Sequence, residues 1–159
     1  MGNLETLTPE SRVWIYQAAE PFAAQQVPEI AAHVQAFAQR WVSHSRQLQA
    51  GGAVLNDRFL VLAVDESQAG ASGCSIDSSV QFVKQVGAQY QRDLFDRLRF
   101  SYEKDGAVHT VSKDEFAALY QQGEINDDTI VYDPLVKTLG ELRSTFRKPL
   151  RESWHARFV

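Results

Sequence analysis

The chain has 159 residues, 44% of them apolar, with 16 basic and 20 acidic side chains and a net charge of −4. That length and composition belong to a globular protein with enough chain to bury a core without staples. Its single cysteine excludes an internal disulfide and a cysteine-cluster zinc site and fits a reducing cytoplasm, while the net acidity argues against nucleic acid as a partner. No apolar run approaches the ~20 residues of a membrane helix, and the opening Met1–Glu10 stretch has no apolar core, so neither a membrane partner nor a signal peptide is expected.

Arg12 to Gln17 (RVWIYQ) is rich in β-branched and aromatic residues and predicts a strand. Val27, Ile30, Val34, Phe37, Trp41 and Leu48 then recur at helical spacing, with Pro28 suited to a first helical turn and Gly51-Gly52 to its end. Arg58 to Asp65 (RFLVLAVD) predicts a second strand. Its apolar run is continuous, which is the pattern of a strand covered on both faces. After the loop Glu66–Ser75 (ESQAGASGCS), Ile76, Val80, Val83, Val86 and Tyr90 mark a second helix to about Arg92.

Leu98, Phe100 and Tyr102 alternate with polar residues, and Asp105-Gly106 is a hairpin turn pair. The return strand 107–111 leads into Ser112-Lys113-Asp114-Glu115, a capping box flanked by Val111 and Phe116 as a hydrophobic staple. That helix should end at Gly123. A strand at Thr129–Tyr132 stops at Asp133-Pro134, and a short helix is expected near Leu139–Phe146. The predicted class is α+β: a mixed sheet with flanking helices in the order β-α-β-α-β-β-α-β. It falls into a βαβα half (1–95) and a ββαβ half (96–159), or forms one continuous domain.

Phe100, Tyr102, Gly106, Ser112, Phe116, Leu119, Gly123, Ile125, Thr129 and Val131 stand where the bacterial GYF-2 type of small domain has its pattern, with Trp154 as a late tryptophan. Residues 98–133 resemble that family, departing from it at His109, Thr110 and Val111, where it has Gly-Pro before the helix. The resemblance implies a binding or adaptor role with a protein or peptide partner. As a whole, the segments SRVWIYQ, RFLVLAVDE, ASGCSID, DLFDR and SWHAR resemble a small family of uncharacterised bacterial proteins often labelled "ABC transporter ATPase". Phe59–Glu66 does fit the pattern of four apolar residues before Asp-Glu. No G-x-x-x-x-G-K-[ST] exists to cradle phosphates, so ATP hydrolysis is not expected.

Residues 65–78 are the segment most suited to chemistry. Ligands of sheets with helical crossovers bind beyond the carboxyl ends of strands. Asp65 and Glu66 stand at such an end, and Ser72, Gly73, Cys74, Ser75 and Asp77 open the next helix, whose free amides favour an anion and an ionised thiol. Asp65, Glu66, Ser72, Gly73, Ser75 and Asp77 are the candidate ligand site, with a small anion expected at Ser72–Ser75. Cys74 is the candidate nucleophile, with His155 in Ser153-Trp154-His155-Ala156-Arg157 as its base. Against this stand plainer roles: Asp65 as a strand end, Ser75 or Asp77 as a helix cap, and Cys74 as a small packed residue. No cofactor is implied, and Asp65, Glu66 and Asp77 make at most a weak magnesium set, so no metal site is predicted.

The function expected is a non-catalytic cytoplasmic binding or interaction protein. The alternative is a small thiol-dependent or anion-binding enzyme using the Asp65–Asp77 loop. Charge is unevenly spread: segment 103–133 is strongly acidic and 137–159 is basic. Those two segments are solvated faces, or they pack on each other, or the tail receives an anionic partner.

Overall fold

The computed structural model describes residues 2–159, with side chains from Leu4 onward; Met1 of the opening stretch lies outside the described residues. Strand β1 (Arg12–Gln17) leads to helix α1 (Val27–Arg40). A minimal hairpin follows, β2 (Val42–Ser43) and β3 (Arg46–Gln47), then β4 (Gln49–Leu55), β5 (Phe59–Asp65) and helix α2 (Gly73–Tyr90). The second part carries β6 (Arg99–Lys104), β7 (Ala107–Ser112), α3 (Lys113–Gln121), β8 (Ile130–Tyr132), α4 (Leu139–Ser144) and β9 (Arg147–Pro149), closing in 3-10 turns at Leu150–Glu152 and Trp154–Phe158.

The class is α+β, but the sheets are not mixed. The first sheet runs β1-β5-β4 and the second β7-β6-β8-β9, and every pairing is antiparallel. The element order also gains strands in two places. The first helix stops at Arg40 rather than running to Leu48, because the chain turns extended at Trp41 and reverses through His44 and Ser45, both left-handed (φ 50 and 67). Gly51 and Gly52 therefore lie inside β4 instead of ending a helix. A Cβ on Gly52 would fall 2.3 Å from Val34 Cγ1 and 3.0 Å from the Val61 carbonyl oxygen, so glycine lets α1 lie close on the sheet.

β5 is central in its sheet and buried on both faces from Phe59 to Val64, as its unbroken apolar run requires. On one face Leu60, Leu62 and Val64 pack with Val34 and Phe37 of α1 and Phe82, Val83 and Val86 of α2. On the other, Phe59, Val61 and Ala63 join Val13 and Ile15 with Tyr132, Val136, Leu139, Leu142 and Phe146 from the C-terminal part. A third cluster, Phe100, Tyr102, Phe116, Ile125, Val131 and Leu150, fills the second sheet under α3.

A directed chain of hydrogen bonds crosses between the sheets. Arg58 Nη1 donates to Thr110 Oγ1 (3.0 Å), Thr110 shares a bond with Ser101 Oγ (2.7 Å), Ser101 Oγ donates to Gln17 Oε1 (2.6 Å), and Gln17 Nε2 donates to the Arg99 carbonyl (2.8 Å). Since Ser101 spends its one proton on Gln17, Thr110 must be the donor to Ser101. The acidic and basic segments meet in the second sheet. Arg147 pairs with Glu103, Arg151 with Asp128, and Lys148 with Asp133 at 2.8 Å, so the basic tail packs on the acidic segment. Among the described residues no helix is long and apolar enough to cross a membrane.

Candidate functional site

The loop after β5 is closed on itself. Asp65 Oδ1 accepts from the Ser67 amide (3.0 Å), and Glu66 Oε2 accepts from the Ala71 amide (2.9 Å). The Ser67 bonds hold the Asp65 carboxyl below the usual carboxylate range. Ser72 is the N-cap of α2 in a reciprocal capping box with Ser75, which is buried. Helix α2 starts at Gly73, three residues before the expected Ile76, because that box forms upstream. Asp77 is exposed one turn into the helix and Gly73 is exposed in its first turn. The Asp65 and Glu66 carboxylates thus serve their own loop, and among the described residues no group of three or more His, Cys, Asp or Glu side chains could hold a metal ion. β5 also pairs antiparallel with both neighbours, so this loop does not lie at the end of a parallel strand with a helical crossover.

Cys74 is exposed and lines a hollow of about 290 Å³ with Phe37, Arg40, Trp41, His44 and Ser78. The Trp41 indole N–H donates to the Ser75 carbonyl (2.8 Å) and ties this end of α2 to α1. His155 does not meet Cys74. Its ring is fully buried in the second part of the molecule, stacked on Trp154 (3.8 Å between centroids) and edge-on to Phe100 (4.9 Å). Its Nδ1 bonds Ser153 Oγ at 2.5 Å, and its Nε2 has no partner among the described residues. Burial pulls its pKa down to about 4, against a partial upward pull from Asp133. A neutral, sealed imidazole is a packing group, and the predicted Cys74–His155 pair does not form. His44 is the histidine that shares the cysteine's hollow.

A larger cleft, about 410 Å³, opens between the two sheets. Four segments build it. β1 supplies Ile15 and Gln17 as its floor. The connection after α2 supplies Leu94, Phe95, Asp96 and Arg97, and leads into Arg99 at the start of β6. Gln91 ends the helix in a left-handed conformation, and the Arg92 guanidinium grips the Pro21 carbonyl (2.8 Å). Two Asx turns follow, Asp93 accepting from the Phe95 amide and Asp96 from the Leu98 amide (2.9 Å each), and they present Phe95 and Arg97. Phe95 stands edge-on to Tyr16 at 5.4 Å.

The remaining wall is organised by Asp133. It accepts from Lys148 Nζ (2.8 Å), from the Trp154 indole N–H (2.8 Å) and from the Leu135 amide (2.9 Å). Burial alone would raise its pKa, but these donors outweigh it and hold the carboxyl below its ordinary value. One buried carboxylate thereby sets Pro134-Leu135 on one side of the cleft and Trp154 with Phe158 on another. Phe95, Leu135 and Phe158 remain 38%, 46% and 37% exposed, an uncovered apolar lining. Arg97, Arg99 and Arg157 ring it, with Asp96 as the one carboxylate of the lining. Arg99 bonds Asp96 (3.1 Å), whereas Arg97 and Arg157 have no ion pair among the described residues. Sequence reasoning missed this site because its parts lie in four separate segments; Asp93-x-Phe95 and Asp133-Pro134-Leu135 were its local signals.

No family model, no curated protein and no solved structure matches this chain.

Proposed function

We propose that the chain is a non-catalytic cytoplasmic binding protein that takes its ligand in the cleft between the two sheets. The observation that carries this reading is an open, apolar cavity of ligand size with a cationic rim. Its lining combines exposed Phe95, Leu135 and Phe158 with Arg97 and Arg157, so the ligand has an apolar body and negative charge. The GYF-2-like pattern of residues 98–133 agrees with a binding role, and the separation of Cys74 from His155 removes the nucleophile–base pair that an enzyme reading relied on. The test uses 8-anilino-1-naphthalenesulfonate, an apolar anion whose fluorescence rises on binding. One saturable site is expected, lost in Leu135→Glu and kept in Cys74→Ser. Loss in Cys74→Ser with retention in Leu135→Glu would overturn the assignment.

The second reading, a thiol-dependent or anion-binding enzyme at Ser72–Ser75, is favoured by one observation: exposed Cys74 shares its hollow with Arg40 and His44. Its test is the pH dependence of iodoacetamide labelling. An activated thiol labels well below its free pKa and slows in His44→Ala; a thiol that titrates near 8.5 in both proteins removes this reading.

A further inference from the structure

Resting on the cleft reading, we propose that the natural ligand is an extended acidic peptide that adds as a strand to the unpaired edge of β1 over Ile15–Gln17. In an antiparallel pair, residues alternate between bonding the neighbour and facing away from it. The Ala18 amide donates to the Arg58 carbonyl (2.9 Å) in the register that pairs Tyr16 with Leu60. This fixes the phase: Arg12, Trp14 and Tyr16 bond to β5, while Val13, Ile15 and Gln17 aim their N–H and C=O outward. The outward edge is used only at its start. The Val13 amide donates to the Lys137 carbonyl (3.0 Å), and the Leu139 amide donates to the Ser11 carbonyl (2.8 Å), with Arg12 opposite Thr138.

Continuing that register would set Ile15 against Leu135 and Gln17 against Asp133. The chain does not continue it. The Asp133 amide is bonded to the Phe146 carbonyl (2.8 Å), and Pro134 has no N–H to offer. The backbone groups of Ile15 and Gln17 consequently have no partner among the described residues, and both residues form the floor of the cleft. An unpaired strand edge is a template for another strand unless it is blocked, and strand addition is an established mode of peptide capture. Three added residues span about 10 Å. The charges choose the peptide: Arg97 and Arg157 flank the edge unpaired, and Arg12 and Lys137 line the adjoining hollow that shares Ile15, Arg97 and Leu135. Acidic side chains alternating with apolar ones would place carboxylates toward this rim and apolar groups against Phe95, Leu135 and Phe158.

The probe is the acetylated, amidated pentapeptide Glu-Val-Glu-Leu-Glu, with two N-methylated twins, one at the valine and leucine and one at the three glutamates. Binding is followed by amide shifts of the labelled protein. Strand addition predicts that only one twin loses affinity, by about tenfold or more, since alternate amides face the edge. It also predicts that the Ile15 and Gln17 amides shift on binding the parent, and that Arg97→Glu with Arg157→Glu weakens it by a similar factor. Equal affinity of both twins and parent, or binding that leaves those two amides unmoved, would overturn the proposal. So would failure of the parent to bind while the naphthalenesulfonate anion still occupies the cleft; in that case the cleft reading stands. If neither binds, both readings fall.

Discussion

Lowering the pH from 7 to 5 protonates an ordinary histidine, but not one held as His155 is. Its ring is sealed between Trp154, Phe100 and Phe116, its Nε2 meets no partner among the described residues, and burial takes its pKa to about 4. The unfolded chain binds a proton there near pH 6.5, so between 6.5 and 4 the unfolded state holds the extra proton and the fold loses stability as pH falls. The loss is about 2 kcal/mol between pH 7 and pH 5 and about 3 kcal/mol by pH 4. Asp133 does not confuse this window, because its depressed pKa moves its own contribution to still lower pH. The assay is urea unfolding followed by tryptophan fluorescence at pH 7 and 5, for the native chain and His155→Phe. With a slope of about 2 kcal/mol per molar urea, the native midpoint should fall by about 1 M more than the variant's. Equal falls in the two proteins would refute a sealed, neutral His155.

Substitutions at three other positions probe the framework. Gly52→Ala forces a methyl group into Val34 Cγ1 and the Val61 carbonyl and should cost about 1–3 kcal/mol in urea unfolding. Ser101→Ala breaks the proton-ordered chain between Arg58 and Gln17 and leaves Gln17 Oε1 short of a donor. A loss of about 1–3 kcal/mol is expected, while Ser101→Thr should keep part of it if the hydroxyl is what matters. Asp133→Asn removes the charge that Lys148, Trp154 and the Leu135 amide share. It should cost about 2–4 kcal/mol and weaken naphthalenesulfonate binding by loosening the Leu135 and Trp154 walls; unchanged binding would show that Asp133 does not position them.

Local signals carried much of this fold into the sequence. Asp105 and Gly106 adopt the left-handed angles (φ 54 and 76) that a tight hairpin demands, and Ser112 caps α3 by accepting from the Glu115 amide (3.2 Å). The unbroken run at Phe59–Val64 correctly marked a strand covered on both faces. Strand β4 was illegible because Gly52 answers to Val34 across the core, a demand that periodicity along one segment cannot express. The Asp65–Asp77 segment drew attention through its position after a buried strand, yet Asp65 and Glu66 are used in the turn and Ser72 and Ser75 in capping α2. Conversely, His155 looked like a tail group free to act as a base, and only the packing of Phe100 and Phe116 around it reveals a core residue.

The most direct measurement is amide and indole mapping of the labelled protein against a panel of small apolar anions. If the cleft between the sheets is the binding site, shifts will gather at Ile15, Gln17, Phe95 and Arg97, with the Trp41 indole and the Cys74 amide unmoved. Shifts gathered at Trp41, His44 and Cys74, with Ile15 and Gln17 silent, would contradict it.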